Sequence, residues 1–480
     1  MTDIATPTLQ LDPDRLFPID PGVRALAREL YEPVADAPIY SPHGHVDPAL
    51  LLANEPFGDP AELLITPDHY VLRLLHAVGV GLGDLGRPRL DGRSEPAPDG
   101  REIWRILCRN WHIFAGTPVR YWLESQLVEI FGLTARPSEA TADQLYDELS
   151  ELLLTEEFRP RPLFDRFKIK VLATTDDPAD DLAAHRALAE DPTFHGRVLP
   201  TFRADAYLDP SAAGWSDRLR RLSEAAGTST DRYTGLIEAL RARRRYFAEH
   251  GCTATDTSPA DTWGEPLPDA EAERIHAAGL AGTVSAAEAV AYRRNLFYQL
   301  AAMSADDGLV MQLHPGVHRS HHAPSLAAYG TDAGHDLPAV GGYTEPLRRI
   351  LNDFGTDPTF RLVLFTVDET TFSREIAPLA GFYPSVYAGA PWWFLDTPAA
   401  ILRYRAAVTD STGFYKTSGF IDDTRAFLSI PARHDMSRRT DAAFLAELVA
   451  THQLEPAEAQ AIARDLVSTI PIDVFRLPTE

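Results

Sequence analysis

The chain has 480 residues, 45% of them hydrophobic and 24% charged, with a formal net charge of −24. That acidity argues against nucleic acid and anionic membrane as partners, since both need a basic footprint, but a locally placed arginine still admits an anionic small substrate. No apolar run approaches the ~20 residues of a membrane-spanning helix, and two cysteines, Cys108 and Cys252, cannot make a disulfide framework.

Met1 to Leu16 carries acidic residues and prolines instead of a basic stretch followed by an apolar one, so no leader is read there and a cytoplasmic location is expected. A helix starting near Gly22 leads to a short strand over Ala37–Tyr40, which ends at Ser41-Pro42-His43-Gly44-His45. Side chains alternate along a strand, so His43 and His45 point the same way and form half of a divalent-metal site. The spacing of Tyr70, Arg73, Leu74 and Ala77 predicts a helix over Ala61–Val80. A Gly/Pro/Asp-rich loop, Gly81–Gly100, and a helical block over Arg101–Leu154 follow. Residues 81–165 therefore read as a helical insertion within one 480-residue unit.

From Phe167 onward the rhythm changes. Short apolar runs recur at Ile169–Thr174, Val198–Phe202, Cys252–Thr257, Leu309–Leu313, Leu362–Thr366, Ser385–Tyr387 and Thr417–Ile421, each followed by a helical pattern. With the His43 strand they make eight, which predicts a (β/α)8 TIM-type barrel carrying the N-terminal helical insertion. Such barrels keep their chemistry at the C-terminal strand ends. Those ends hold His43 and His45, Thr174-Thr175-Asp176-Asp177-Pro178, Arg203 and Asp205, His314, and Asp422-Asp423-Thr424-Arg425. The first and eighth strands are neighbours, so Asp422 or Asp423 can complete the histidine site. Mixed nitrogen and oxygen ligands suit Zn2+, with Mn2+ as the alternative.

Ordered stretches over nearly the whole chain resemble the uronate isomerase (glucuronate isomerase) family of the amidohydrolase superfamily. They are Asp68-His69-Tyr70 with Arg73, Thr117-Pro118 to Gly132, Thr174 to Pro178, Met311 to Gly316, Pro391-Trp392-Trp393-Phe394-Leu395-Asp396, and Gly419 to Arg439. Three places depart from the family. Ser41-Pro42-His43-Gly44-His45-Val46 replaces Asp-X-His-Cys-His-Leu, Thr255-Asp256-Thr257 replaces Ser-Asp-His, and Ser320-His321-His322 replaces an Asn-rich stretch.

The resemblance implies aldose–ketose isomerisation of D-glucuronate to D-fructuronate, and of D-galacturonate to D-tagaturonate, with one metal ion on His43, His45 and Asp423. Asp423 or a metal-bound hydroxide would be the base, while Tyr70 and Arg425 steer protons and charge. Arg203 is the candidate for the substrate carboxylate, which a guanidinium binds bidentately. Arg73 and Trp393 join it as substrate-binding candidates, and His314 either ligates the metal or binds a sugar hydroxyl. A homo-oligomer is expected.

Plainer roles compete at each position. Asp423 could cap a helix starting at Ala426, Tyr70 and Arg73 could pair on a helix face, and Arg203 could serve Asp205 or Asp177. His314 could support the site from behind, and Trp393 could be wall or core. Arg433, His434, Arg438 and Arg439 read as structural or as a subunit contact. The rival activity is a mononuclear metal-dependent hydrolase or lactonase. A two-metal hydrolase is disfavoured because Cys252–Thr257 holds no bridging lysine or glutamate, and Phe365-Thr366-Val367-Asp368 holds no histidine.

Overall fold

The computed structural model describes residues 8–93, 98–339 and 341–479. The first seven residues of the N-terminal stretch and residues 94–97 of the Gly81–Gly100 loop lie outside them. The barrel strands are β1 (Ile39–Ser41), β2 (Ile169–Ala173), β3 (Arg197–Leu199, resuming as Phe202–Arg203), β4 (Ala254–Thr257), β5 (Val310–Leu313), β6 (Leu362–Leu364) and β7 (Val386–Ala388). Each pairs in parallel with the next in chain order. Single pairings of Asp176 with Phe202 and of Ala388 with Thr417 extend the ring, and the His45 amide closes it by donating to the Thr424 carbonyl at 3.1 Å. This is the expected TIM-type barrel.

The eighth run, Thr417–Ile421, is not a regular strand; only Thr417 pairs. Gly419 has φ +72°, and a Cβ there would meet the Leu466 carbonyl oxygen at 2.9 Å. The chain therefore turns out of register under the C-terminal helices, where only glycine fits.

Alternation sorts the strand side chains. Val171, Leu199, Ala254, Val310 and Val363 pack together inside the barrel, whereas Met311, Leu313, Leu362, Leu364 and Val386 face the outer helices. Two residues beyond this inner layer, β4 and the segment after β6 present Asp256 and Phe365, and His314 follows β5. The interior thus changes from apolar floor to polar mouth within one strand.

Helix α1 (Pro21–Ala35) is capped by Asp20. The expected Ala61–Val80 helix is two helices, Pro60–Leu64 and α2 (His69–Ala77). Pro67 disfavours helical backbone at the residue before it, and the Asp68 carboxylate restarts the helix by accepting from the amides of Tyr70 and Val71. Helices of the insertion include α3 (Pro118–Ser125), and α4 (Ile430–Ala450) follows the eighth run. Arg433, His434, Arg438 and Arg439 lie on α4 and are 2–6% exposed within the single chain, which corrects the subunit-contact alternative. Arg438, for instance, donates to the carbonyls of Ala35 and Ala37 at 2.9 Å each, satisfying the end of α1.

Candidate functional site

His43 and His45 converge with Asp423 across the first-to-eighth closure. Asp423 Oδ1 lies 3.0 Å from His45 Nε2 and 3.4 Å from His43 Nε2. The three ligand atoms all fall within 4.8 Å of one another. Asp423 has φ +38°, and this left-handed turn directs its side chain to the histidines, while Asp422 accepts instead from His434 Nε2 at 3.0 Å. The helix-cap alternative for Asp423 fails because the short 3-10 helix Phe427–Ser429 and α4 behind it have Ala426 and Ser429 at their cap positions.

Burial alone would raise the Asp423 carboxyl, but His43 and His45 overturn that and hold it well below the usual carboxylate range. Burial lowers His45 outright. His43 ends up raised, because the Asp423 and Asp256 carboxylates outweigh its burial. Two imidazoles around one ionised carboxylate form an N2O donor set, buried at His43 and partly open at His45 and Asp423, so a divalent metal fits here.

Behind this set stands the candidate His314, held by a partner that sequence reasoning did not assign, Asp256. His314 is buried, stacks on His43 at 4.5 Å between ring centroids and on Phe365 at 4.0 Å, and donates from Nδ1 to Asp256 Oδ1 at 2.7 Å. A carboxylate only accepts, so the Nδ1 hydrogen is fixed and the unpartnered Nε2 carries a lone pair. Burial pulls His314 down to about 4, keeping it neutral. Asp256 Oδ2 is 3.0 Å from Arg203 Nη1, and Arg203 Nε donates to Asp205 at 2.8 Å. The signal for Asp256 was available: two residues after inward-facing Ala254, it shares that face of β4. By the same alternation Thr257 faces outward beside Leu313, so the missing family histidine removes nothing from the inner layer.

The cavity over the metal ligands encloses about 350 Å3 and is lined by Arg203, Arg319, Arg425 and Arg433 as well as Tyr70 and Trp393. Tyr70, from α2, donates its hydroxyl to Asp396 Oδ2 at 2.8 Å, and Arg433 Nη1 donates to the same oxygen at 2.7 Å. The Arg433 guanidinium also lies 3.7 Å over the Trp122 ring of α3. Burial, followed by the Asp396 charge, raises the phenol well above its ordinary value, so Tyr70 stays neutral. Trp393 stacks on His69 at 5.2 Å with Arg319 4.7 Å above it. Arg425 ion-pairs with Asp332 at 3.0 Å.

Arg73 is the candidate that the structure does not bring to the cavity. Its guanidinium lies 4.7 Å over the Phe394 ring, away from the lining and unpaired with Tyr70. Gly44, the family-atypical residue, has room for a Cβ at ordinary contact, 3.4 Å from the Ala173 carbonyl oxygen and 3.6 Å from Asp422 Oδ1. Arg319 and Asp332 escaped notice, and Asp396 entered only as the end of a resembling stretch with no role, because they sit on loops with no periodicity to orient them.

Residues 23–473 match the family model described as glucuronate isomerase. A uronate isomerase of Corynebacterium efficiens is 50% identical over 466 residues, covering 97% of this chain and 98% of the relative. The crystal structure of glucuronate isomerase from Caulobacter crescentus superposes with a TM-score of 0.95 at 42% identity, covering 98% of each chain. The uronate isomerase structure from Thermotoga maritima follows at 0.89 and 28% identity, covering 97% of this chain and 99% of that one.

Proposed function

Because the chain belongs to the uronate isomerase family, we propose that it interconverts D-glucuronate with D-fructuronate, and D-galacturonate with D-tagaturonate, in the cavity at the barrel mouth. The observation that carries the reading is the convergence of His43, His45 and Asp423 beneath a wall of guanidinium groups and one neutral phenol. His43, His45 and Asp423 hold one divalent ion, zinc by its liking for imidazole and carboxylate together, with manganese as the alternative. Bound there, the ion polarises substrate oxygens as a Lewis acid.

The chain's own groups do the rest. The hexuronate carboxylate pairs with Arg203, whose side chain is braced by Asp205 and Asp256 and keeps a quarter of its surface exposed. Ionised Asp423 removes the carbon-bound proton at C2 and returns it to C1. The second proton moves between the two oxygens. Tyr70 has committed its only hydrogen to Asp396, so it offers an oxygen lone pair that accepts from a sugar hydroxyl. As that proton arrives, Tyr70 passes its own to Asp396, and the reverse transfer completes the exchange. Arg425 stabilises charge growing on the enediolate oxygens, and Trp393 walls the sugar face. His314 presents Nε2 from below, as ligand or as acceptor.

The chain works as one unit in this reading, with the 81–165 helical insertion belonging to the site, since its Trp122 supports Arg433. Cytoplasmic residence is supported by the buried free thiols of Cys108 and Cys252. Among the described residues no helix is long and apolar enough to cross a membrane. The homo-oligomer is a matter for light scattering. Proton NMR of each uronate with metal-loaded protein tests the activity. Growth of the ketose signals is expected, and unchanged uronates in the presence of bound metal contradict it.

A further inference from the structure

Between β5 and β6 the chain leaves the barrel as a flap, residues 316–339. Its stalk is a two-residue antiparallel pairing of Val317–His318 with Leu337–Pro338. The foot is tied by the Ala339 amide, which donates to the Gly316 carbonyl at 2.6 Å. The far end carries the helix Ala323–Tyr329 and docks on the loop after α2. There the Leu90 amide donates to the Ala328 carbonyl at 2.7 Å, and Arg87 donates to the Thr331 carbonyl at 3.0 Å. Gly334, with φ +84°, lies so close to Arg73 that a Cβ would sit 3.1–3.2 Å from its Cβ, Cα and N. The flap is thus wedged between the barrel mouth and the helical insertion.

From this flap Asp332 reaches down to Arg425 at 3.0 Å, and both line the cavity. Arg425 is otherwise poorly held: its side chain is 45% exposed and its bond to Asp332 is the charge pairing it makes. Burial alone would raise the Asp332 carboxyl, yet Arg425 beside it keeps it below its ordinary value, so the bond joins two full charges. Asp332 itself sits at φ +59°, a turn that aspartate tolerates better than most residues.

We propose that Asp332 is a positioning residue for Arg425, and that the flap must be seated on the helical insertion for the arginine to point at the reacting oxygens. The inference rests on the isomerase reading of this cavity. Opening the flap to admit substrate withdraws Asp332 and frees Arg425; closing it over bound sugar restores the bond. Turnover is thereby tied to closure, because the group that stabilises developing charge is aimed only in the closed arrangement.

A double-mutant cycle in the full-length, metal-loaded protein tests this, with wild-type turnover of uronates as the separate control on the isomerase reading. Misplacing a charge-stabilising group by about 1 Å costs on the order of 100-fold, so Asp332→Ala is expected to lower kcat about 10- to 100-fold with KM within about threefold. Asp332→Asn, which keeps shape and one acceptor, recovers part of the loss. In an Arg425→Ala background, Asp332→Ala should cost less than about twofold more. Gly334→Ala, which pushes the flap off Arg73, should lower kcat in the same direction. A full second loss in the Arg425→Ala background overturns the positioning role, as does wild-type kcat in both Asp332 variants. Wild-type kcat in Gly334→Ala overturns the requirement for a seated flap.

Discussion

Tyr70 and Arg433 donate to the same oxygen, Asp396 Oδ2, at 2.8 and 2.7 Å. This shared acceptor decides what the phenol can do. A lone tyrosine would be free to act as donor or acceptor; here its hydrogen is already placed, and its oxygen faces the cavity as an acceptor. The guanidinium also holds the Asp396 carboxylate in place at the far end of the relay. Tyr70→Phe should therefore lower kcat about 100-fold or more, the usual worth of a positioned proton-transfer group, with little change in thermal unfolding. Asp396→Asn should lower kcat to a comparable degree, because an amide still accepts from the phenol but gives the proton no anion to reach. Steady-state kinetics on glucuronate reads both; wild-type kcat in Tyr70→Phe contradicts the relay.

Arg203 is braced by two carboxylates, which fixes the plane of its guanidinium before substrate arrives. A lysine keeps the charge but not the fork. Arg203→Lys is expected to raise KM for uronates about tenfold or more with a smaller change in kcat. Equal losses for a substrate analogue lacking the carboxylate would assign Arg203 a purely structural part.

Asp176 gives a pH dependence of stability. It accepts from the Thr174 hydroxyl at 2.7 Å and the Thr201 amide at 3.1 Å, yet burial outweighs both and lifts its carboxyl to about 7. The folded chain therefore keeps this proton up to about pH 7, while the unfolded chain releases it from about pH 4. Rising pH across that window favours the unfolded chain, by about 1.4 kcal/mol for each tenfold difference in proton affinity. Asp176→Asn, neutral throughout, should be spared this loss. Thermal unfolding at pH 5 and pH 8 is expected to show the variant gaining on the wild type as pH rises; a constant difference contradicts it.

Both thiols are buried, and burial pushes Cys108 and Cys252 up to about 12. Only thiolate reacts readily. Native protein should resist iodoacetamide at pH 8 and take up two labels on unfolding in guanidinium, counted by mass spectrometry. Fast labelling of either cysteine in the native state would mean that its surroundings open.

Much of this was legible in the sequence, for physical reasons that also explain what was not. Buried parallel strands demand uninterrupted apolar runs, so β2 to β7 announced themselves, and period-two alternation placed His43 beside His45. The eighth run misled because its apolar residues flank Gly419, whose positive φ ends the pairing that those residues would otherwise support. Arg73 misled because it shares a helix with Tyr70, but α2 presents one face to the cavity and the other to Phe394. The roles of Asp332 and Asp396 were silent: loop residues carry no period, and their partners Arg425 and Arg433 lie 93 and 37 positions away along the chain.

The central claim is that one divalent ion on His43, His45 and Asp423 makes this barrel an isomerase of uronates. The most direct measurement is a zinc titration of metal-stripped protein with glucuronate turnover followed by proton NMR. Turnover should climb linearly to one equivalent and then stay flat, with His43→Ala folded but taking up no ion and forming no ketose. Full turnover in the stripped protein, or a climb that continues to two equivalents, would contradict it.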